Sequence, residues 1–528
     1  MLTTAMNILL ALTALFYLIF VVKRDLQMLQ QNSYRNERYI KWLKQSDESL
    51  KPNRLFCCVI VVLCISGFAQ FDWFNYVKGL VSIVFVILAV SLIKRKYKHS
   101  LVFTKRVWRL FITEIALIVI TGVLFSIIEQ SIFALVIWPI FMIMISSGVT
   151  IAVNWLLKPV ENAINQRYYN DAKRLLEQMS DMKIIGITGS YGKTSTKHYL
   201  NRILSEHFSV LMTPGSFNTP MGVIRTVREM MQPYNEVFIV EMGAKNIGDI
   251  KEICDLVHPS MGIITAVGPQ HLESFKTIEN VQRTKFELAD ALPADGYVVV
   301  NNDFPYVANR NVDNVAVSRY TVEDVEGSDY HAEDIQYSAA GTTFRILGKD
   351  VDIELSTKLV GECNISNLIA ATLIAIKLGV PVDKIKYAVS KIAQVEHRLN
   401  IKRTPAGVTI IDDAFNSNPD GSRMALNVLA NMKGGKRIVI TPGMIELGTQ
   451  QAFYNEKFGE HIAETSDVAI IVGEYNREAI LKGIKSKEMP EENVHPVNTF
   501  NDAQALLATI AMVGDTVLYE NDLPDTFK

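Results

Sequence analysis

Apolar residues are concentrated in the first 160 positions of this 528-residue chain. Five apolar runs in that part are long enough, or nearly so, to cross the hydrocarbon core of a bilayer, which takes about 20 helical residues. They lie at about 5–22, 56–72, 77–93, 108–128 and 132–156. Because a backbone inside lipid must satisfy its own hydrogen bonds, each run predicts a helix. The sequence therefore predicts an α-helical membrane region of five spans at residues 1–158, followed by a more polar part.

The four connections between these runs differ in their content of basic residues. Stretch 23–55 contains eight Lys and Arg and stretch 94–109 contains seven, whereas 73–76 and 129–131 contain none. Basic connections stay on the cytoplasmic side of a membrane. This rule puts the N-terminus outside the cell and everything after residue 157 in the cytoplasm. The first run lacks a basic leader and is followed by further apolar runs, so we interpret it as an uncleaved span rather than a signal peptide.

Several global features restrict the function. The net charge of -2 gives no sign of a nucleic-acid partner. Three of the five cysteines lie in one apolar run and none has the spacing of metal ligands, so the sequence predicts neither a zinc site nor a disulfide framework. Glu114 lies within the fourth run, where it is either a functional intramembrane carboxylate or an interfacial side chain near the cytoplasmic end.

A connector follows the last apolar run. Apolar residues recur at helical spacing across 159–182, and Pro159 suits the first turn of a helix. The pattern predicts an amphipathic helix that lies either on the membrane surface or against the soluble part of the chain. The sequence leaves both positions open.

Short apolar strands alternate with helical patterns from residue 183 onward. The strand candidates are KIIGIT (183–188), VFIVE (237–241), GIITAV (262–267) and YVVVN (297–301). This alternation predicts α/β architecture, with a parallel sheet like that of P-loop ATPases in a central ATP-binding domain at residues 183–395. Within that domain, residues 305–358 predict a small antiparallel insertion, and residues 364–394 predict two helices.

A second α/β pattern begins near residue 396. Its strand candidates lie near 408–412, 437–441, 468–472 and 516–520. The pattern predicts a separate, Rossmann-like C-terminal domain at residues 396–528.

The segment TGSYGKTS follows the first strand and precedes a helix, which is the context that a phosphate-binding loop needs. Gly189 and Gly192 allow backbone N–H groups to face phosphate oxygens. The helix that starts near Lys193 adds its positive N-terminal dipole. Lys193 supplies a positive charge to the terminal phosphates, and Thr194 offers a hydroxyl to Mg²⁺. The loop therefore predicts that the central domain binds a nucleoside phosphate.

The loop has Ile187 where the usual GxxxxGK[ST] pattern has its first glycine, so it is a shorter variant of the form TGxxGKT[ST]. An ATP loop on a chain with membrane spans is also typical of an ATP-driven transporter, which is the main alternative to an enzyme. An ABC-type ATPase completes its site with a second, LSGGQ-like loop, and this sequence contains none. The sequence therefore favours an ATP-consuming enzyme.

Further motifs follow the loop in a fixed order. They are SFNTPMG (216–222), EMGA (241–244), HLESF (271–275), TKFEL (284–288), NND (301–303), GECNISN (361–367), HRL (397–399), DDAFNSNP (412–419) and PGMIELG (442–448). With GITGSYGKTST, this series resembles the Mur ligase family, the ATP-dependent enzymes that add amino acids to the peptidoglycan stem peptide. The resemblance covers about residues 183–528 and is greatest to the branch that adds D-alanyl-D-alanine.

The resemblance implies two Mg²⁺ ions held by four residues. Glu241 ends a strand beside the loop, at the sheet edge where ligands bind, and its carboxylate can hold Mg²⁺ together with Thr194. His271 resembles the histidine that holds the second Mg²⁺. Lys285 resembles a lysine that many Mur ligases carry as a carbamate, an anion that can bind metal. Lys193, His271 and Lys285 are therefore the predicted catalytic residues.

The resemblance also implies which residues contact ATP. Asn301 and Asn367 correspond to the adenine side of the site. Arg398 and Asp413 correspond to residues that reach the nucleotide from the C-terminal domain, where Arg398 suits a triphosphate and Asp413 a ribose hydroxyl. The loop itself contributes Gly189, Ser190, Gly192, Lys193, Thr194 and Ser195. Two domains at one nucleotide site imply closure around the substrate.

The implied reaction forms an amide bond. An acceptor carboxylate attacks the γ-phosphate to form an acyl phosphate, and an amino acid or dipeptide amine then displaces phosphate. The predicted partners are a lipid- or nucleotide-linked acceptor, that amine and the bacterial cell membrane. Two alternatives stay open: a ligase that makes a γ-linked amino-acid polymer, and an ATP-binding membrane scaffold without ligase activity.

The chain departs from the family at three places. Five membrane spans stand where Mur ligases have a soluble domain that binds the UDP-sugar. PGMIELG replaces the family's GDMLELG. The family's KGSR-like stretch, which meets the incoming dipeptide, corresponds to the acidic YENDLPD at 519–525.

Overall fold

The structure is a computed structural model that describes residues 2–523 apart from a few short gaps. The gaps are 47–50, 66–72, 96, 98, 130–131, 324–325, 339–340 and 416. The chain forms two compact units, one reaching Ile164 from the N-terminal side and one comprising Asn165–Asp522.

All regular secondary structure in the described residues of the N-terminal unit is α-helical. Its helices are α1 Leu2–Gln31, α2 Asn36–Gln45, α3 Lys51–Ile65, α4 Phe74–Lys94, α5 Lys105–Glu129 and α6 Ile132–Leu156. Four of them, α1, α4, α5 and α6, are long and apolar enough to cross a membrane. The predicted run at 56–72 begins within α3, which has 15 residues, and its last part lies outside the described residues. The membrane span predicted at 56–72 therefore stays a prediction.

Polar side chains lie inside this helical unit. Asp25 on α1 accepts hydrogen bonds from Ser146 (2.7 Å) and Ser147 (3.1 Å) on α6. Glu114 on α5 is fully buried and accepts a hydrogen bond from Thr150 at 2.8 Å. The Glu114 carboxyl therefore faces α6 inside the helical unit, and its depth relative to a membrane stays a prediction.

Helix α7 (Lys158–Glu177) matches the predicted connector. Its residues Ala172 and Leu176 belong to the same buried cluster as Met182 and Phe238 of the second unit. The C-terminal half of α7 therefore packs within the second unit, and the position of its first turns relative to a membrane stays a prediction.

The second unit contains two sheets. The larger has nine strands in the order β2-β3-β1-β4-β5-β6-β7-β8-β9. They are β1 Lys183–Thr188, β2 Val210–Met212, β3 Val237–Glu241, β4 Met261–Ile264, β5 Tyr297–Asn301, β6 Ala316–Thr321, β7 Tyr330–Ser338, β8 Gly341–Gly348 and β9 Val351–Thr357. From β2 to β7 in this order, each strand runs parallel to its neighbours, whereas β8 pairs antiparallel with both β7 and β9. The segment predicted as an insertion thus extends the same sheet, with its first strand still parallel.

Helices cover both faces of this sheet. They are α8 Lys193–Leu204, α9 Pro220–Met230, α10 Asp249–Val257, α11 Leu272–Phe275, α12 Ile278–Asp290, α13 Pro305–Ala308, α14 Glu362–Lys377 and α15 Val382–Ser390. One buried cluster joins β1, α8 and α14, for example through Ile185, Leu200 and Leu368. The cluster on the other face includes Phe238 of β3 and Phe286 of α12. Strands buried on both faces explain why their sequences are continuously apolar.

The smaller sheet has six strands in the order β10-β11-β15-β12-β13-β14. They are β10 Asn400–Arg403, β11 Thr409–Asp413, β12 Arg437–Thr441, β13 Val468–Val472, β14 Val494–Val497 and β15 Thr516–Glu520. Five are parallel, and β10 is an antiparallel edge strand. The helices around it are α16 Pro419–Ala430, α17 Gln451–Thr465, α18 Arg477–Lys485 and α19 Phe500–Ile510.

The carboxyl ends of these parallel strands carry the polar residues of interest. In the larger sheet, β1 leads into the phosphate loop and β3 ends at Glu241. In the smaller sheet, β11 ends at Asp413 and β15 ends at Glu520. Ligands of open α/β sheets bind outside these ends.

Candidate active site

The phosphate loop requires glycine at two positions. Gly189 has φ 151° and Gly192 has φ 75°, both in the region that side chains disfavour. A Cβ atom on Gly192 would lie 2.5 Å from Oδ1 of Asn367, and one on Gly189 would lie 2.1 Å from Oγ1 of Thr265. The loop therefore packs directly on α14 and on the end of β4.

Lys193 begins α8 directly after the loop. Its Nζ donates hydrogen bonds to the carbonyl oxygens of Gly189 (2.6 Å) and Ser190 (3.2 Å). Burial lowers the pKa of Lys193 to about 8, opposed by the charge of Glu241 and assisted by that of Arg398. Lys193 therefore stays mostly cationic at neutral pH, where it can offset phosphate charge.

Glu241 is fully buried and has three side-chain partners. Its Oε1 accepts from Thr194 Oγ1 and Asn218 Nδ2, each at 3.1 Å, and its Oε2 accepts from Lys197 Nζ at 2.9 Å. Burial alone would raise the pKa of Glu241, but Lys197 and Lys193 hold that pKa below its ordinary value. Glu241 is thus an ionised carboxylate beside the loop.

The positions of Thr194 and Glu241 fit Mg²⁺, because a hydroxyl and a carboxylate oxygen lie side by side and Mg²⁺ prefers oxygen ligands. Over the described part of the chain, no group of three or more His, Cys, Asp or Glu forms a metal cluster. Mg²⁺ usually keeps waters and binds substrate phosphates as well as one or two carboxylates. The residues therefore suit a metal that arrives with the nucleotide.

Lys285 and His271 lie close to this site but do not line the cleft. Lys285 on α12 is buried, and burial together with the charge of Lys193 holds its pKa well below the ordinary value. A neutral lysine amine is the form that reacts with CO₂, so the environment of Lys285 fits a carbamate.

His271 precedes α11, and its Nδ1 contacts Oε2 of Glu446 from the C-terminal part. Glu446 also pairs with Lys245 at 3.0 Å. Burial lowers the pKa of His271, with the neighbouring lysines adding to this effect and Glu446 opposing it. Burial thus favours the neutral imidazole, and a carboxylate at one nitrogen fixes the orientation of the other, as in many metal sites.

The opposite wall of the cleft comes from the C-terminal part. Arg398, Asp413, Ser417 and Glu520 line the same cleft as the loop residues Ser190, Gly192, Lys193, Thr194 and Ser195. The Arg398 guanidinium lies 4.5 Å from the centre of the Phe415 ring and donates a hydrogen bond to the backbone carbonyl oxygen of Phe415. Asp413 accepts from the backbone N–H of Leu399 at 3.1 Å. Residues from both sheets thus meet around the loop.

Asn301 and Asn367 lie at a neighbouring cavity that also has Tyr191, Phe304 and Tyr306 in its lining. These rings offer flat apolar surface of the kind on which a base stacks. Asn301 donates to the Thr265 carbonyl (3.1 Å) and Ser366 Oγ (2.9 Å), so its amide holds the strand-end loops together. Asn367 accepts from Thr196 at 3.0 Å and positions the phosphate loop.

Sequence reasoning missed several members of this site, namely Lys197, Asn218, Lys245, Ser417, Glu446 and Glu520. Lys197 follows Lys193 by four residues, so helical spacing alone would have put both on one face of α8. Asn218, Ser417 and Glu446 lie within the motifs SFNTPMG, DDAFNSNP and PGMIELG, which was a signal that could have found them. Lys245 and Glu520 join the site through contacts between distant segments.

Comparison with known proteins places this geometry in a family. Residues 187–375 match the family model of the Mur ligase middle domain, and residues 397–519 match that of the Mur ligase, glutamate ligase domain. These two regions cover more than half of the chain. The chain belongs to the Mur ligase family. The membership agrees with the resemblance that the ordered motifs carry.

Individual Mur ligases show how far the similarity extends. A UDP-N-acetylmuramoyl-tripeptide--D-alanyl-D-alanine ligase of Mycobacterium tuberculosis is 34% identical over 258 residues, 47% of this chain and 49% of that protein. The chain thus spans about half the length of that relative. The crystal structure of MurF from Acinetobacter baumannii matches with a TM-score of 0.61 and 25% identity over 68% of this chain and 77% of that one. MurF ligase from Thermotoga maritima in complex with ADP shares the fold, with a TM-score of 0.61 and 24% identity over 68% and 80% of the two chains.

Proposed function

We propose that this Mur ligase is a membrane-anchored enzyme that uses ATP to join an acceptor carboxylate to an amine through an acyl phosphate. The observation that carries the proposal is the cleft in which the phosphate loop and Glu241 face Arg398 and Asp413. A loop that binds phosphates, a site for Mg²⁺ and an arginine from a second domain are the parts that phosphoryl transfer requires.

Each step of the proposed reaction follows from charge. The acceptor carboxylate attacks the γ-phosphorus, a C–O–P linkage forms and ADP leaves. The amine then attacks the acyl carbon, a C–N bond forms, the C–O bond to phosphate breaks and the amine loses a proton. The loop N–H groups, Lys193 and Arg398 stabilise the negative charge that develops on the phosphoryl oxygens. Mg²⁺, when bound, adds further positive charge at those oxygens.

The other predicted site residues have supporting roles in this proposal. Thr194, Glu241, His271 and a carbamate on Lys285 hold two Mg²⁺ ions. Asp413 binds a ribose hydroxyl. Asn301, Asn367 and the aromatic cavity beside them take the adenine, with Asn301 shaping that cavity through its internal hydrogen bonds.

The names of the relatives suggest the two substrates. We propose D-alanyl-D-alanine as the amine and a muramoyl-tripeptide as the acceptor, carried on a nucleotide or on a lipid. The helices α1, α4, α5 and α6 would anchor the enzyme with its catalytic part in the cytoplasm, where ATP is available. The two strongly basic connections support this orientation.

Phosphate release tests the reaction. The purified full chain in detergent is expected to release phosphate from ATP only when UDP-N-acetylmuramoyl-tripeptide and D-alanyl-D-alanine are both present, with the amide product identified by mass. Lys193→Ala should abolish release, whereas Lys251→Ala, at an exposed lysine paired with Asp255, should not change it. Release that is independent of the acceptor, or that survives Lys193→Ala, contradicts the proposal.

Protease accessibility tests the membrane arrangement. Protease added outside intact cells should remove a tag at the N-terminus and leave the part after residue 157 uncut. Cleavage of that part in sealed cells would show that the orientation is reversed.

A further inference from the structure

The connection between α4 and α5 is fastened to the end of α1. The Nε2 atoms of Gln27 and Gln31 donate hydrogen bonds to the backbone carbonyl oxygen of His99, at 3.0 and 2.8 Å. Gln30 bonds to Val102 in both directions: its Nε2 donates to the backbone carbonyl oxygen at 2.9 Å, and its Oε1 accepts from the backbone N–H at 3.0 Å. The backbone from His99 to Val102 is therefore fixed beside the last turns of α1, although it is neither helix nor strand.

The length of α1 sets the depth of this connection in a bilayer. The helix has 30 residues, which at 1.5 Å per residue span about 45 Å. A bilayer with its headgroups is about 40–45 Å thick, whereas its hydrocarbon core is about 30 Å. The apolar run of α1 ends near residue 22, so the glutamines that hold the connection lie beyond that core. The connection therefore lies at the level of the lipid headgroups.

The side chains at this level include exposed apolar groups. Val102, Phe103 and Trp108 are all exposed, and the ring centres of Phe103 and Trp108 are 4.8 Å apart. Ile112, one turn after Trp108 on α5, is exposed as well. Aromatic rings are enriched where a bilayer meets water, because one side of the ring faces acyl chains and the other faces headgroups. These residues form an aromatic surface suited to that boundary.

Basic side chains surround the aromatic surface. Lys94 is the last residue of α4 and Lys105 is the first of α5, and both are exposed. Stretch 94–113 contains no Asp or Glu. Glu161 does reach Arg109, whose Nε and Nη2 donate to its two carboxylate oxygens at 2.7 and 2.8 Å. The charge of Arg109 is therefore offset within the protein, and the two exposed lysines present positive charge to the headgroup region.

We propose that this surface binds anionic phospholipids. Phe103 and Trp108 contact the upper acyl chains, and Lys94 and Lys105 contact the negatively charged headgroups. Zwitterionic headgroups carry no net charge, so the lysines select anionic lipids over them. The inference rests on the proposed membrane arrangement, because it requires the start of α5 to lie at the bilayer surface.

Native mass spectrometry of the full chain tests the selectivity. The chain is reconstituted with equal amounts of phosphatidylglycerol and phosphatidylcholine, and the lipids that stay bound after transfer to detergent are counted. We expect phosphatidylglycerol to be retained in excess. Lys94→Gln and Lys105→Gln should each reduce that excess about fivefold, since a cation near an anionic surface contributes about that factor. Lys433→Gln and Lys485→Gln remove the same charge from exposed positions of the second unit and should leave the excess unchanged.

Two measurements on the unaltered chain do not depend on the folding of a variant. The excess of phosphatidylglycerol should decrease as salt is raised, because ions screen exposed charges. Glycerol 3-phosphate, which carries the charge without acyl chains, should not displace the lipid. Equal retention of the two lipids, an excess that survives both lysine changes, or displacement by glycerol 3-phosphate overturns the proposal.

Phosphate release and protease accessibility keep this inference separate from the proposed function. Lipid selectivity without phosphate release refutes only the ligase. Release and the expected protease pattern without lipid selectivity refute only the lipid-binding surface.

Discussion

The ion pair between Lys197 and Glu241 leads to the most quantitative prediction. Both side chains are buried, with exposures of 0% and 1%, and Nζ lies 2.9 Å from Oε2. At an effective dielectric constant of about 20, two unit charges at that distance attract by roughly 6 kcal/mol. Desolvation of both groups offsets much of this attraction, so the net value of the pair is small, but removal of one partner leaves an uncompensated buried charge.

We therefore expect Lys197→Met to destabilise the second unit by about 3–5 kcal/mol, a typical cost for a broken buried pair. In a unit that spans Asn165–Asp522, that cost corresponds to a decrease in melting temperature of roughly 4–7 °C. Thermal unfolding of the full chain in detergent and EDTA measures the change without metal effects. The double variant Lys197→Met with Glu241→Gln should recover most of the loss, because neither charge then remains.

Lys251→Met is the matched control. Lys251 pairs with Asp255 at 2.7 Å, but their side chains are 64% and 55% exposed. Solvent screens such a pair, so no measurable change in melting temperature is expected. The reasoning is refuted if Lys197→Met melts with the unaltered chain, or if the double variant is as unstable as the two single losses together.

Three further predictions concern the cleft. Gly192→Ala should reduce ATP affinity about tenfold, since φ is 75° there and the left-handed backbone costs a side chain roughly 1–2 kcal/mol; unchanged affinity in a nucleotide titration would contradict this. Burial raises the pKa of Asp413 from 3.8 to about 6, so the folded chain holds this proton more tightly than the unfolded chain does. The free energy of unfolding therefore decreases as pH rises through that range. Asp413→Asn should therefore increase the melting temperature at pH 7.5 and not at pH 3.5, and an equal shift at both would refute it. Glu446→Gln weakens the contacts of this side chain with His271 and Lys245, so amide hydrogen exchange in α11 should become faster. Unchanged protection would show that these contacts do not hold α11 against the C-terminal part.

Local patterns predicted much of the fold because strands and helices have short periods. The loop at 188–195, the strands that end at Glu241 and Asp413, and the connector helix all follow from neighbouring residues. The segment at 305–358 was predicted less well. Its strands look alike in sequence, and only the pairing of β6 with β5 shows that it extends the central sheet.

By itself, the sequence determined that the chain has an apolar helical part, a phosphate loop and a series of motifs in the order of one ligase family. These features depend on residues within a few positions of each other. The tertiary structure decided which side chains meet. Lys197 reaches Glu241 across 44 residues, and His271 reaches Glu446 across 175. Asp413 and Glu520 become neighbours only because β11 pairs with β15. Strand order and register set such contacts, and they depend on how the whole sheet packs rather than on any local sequence.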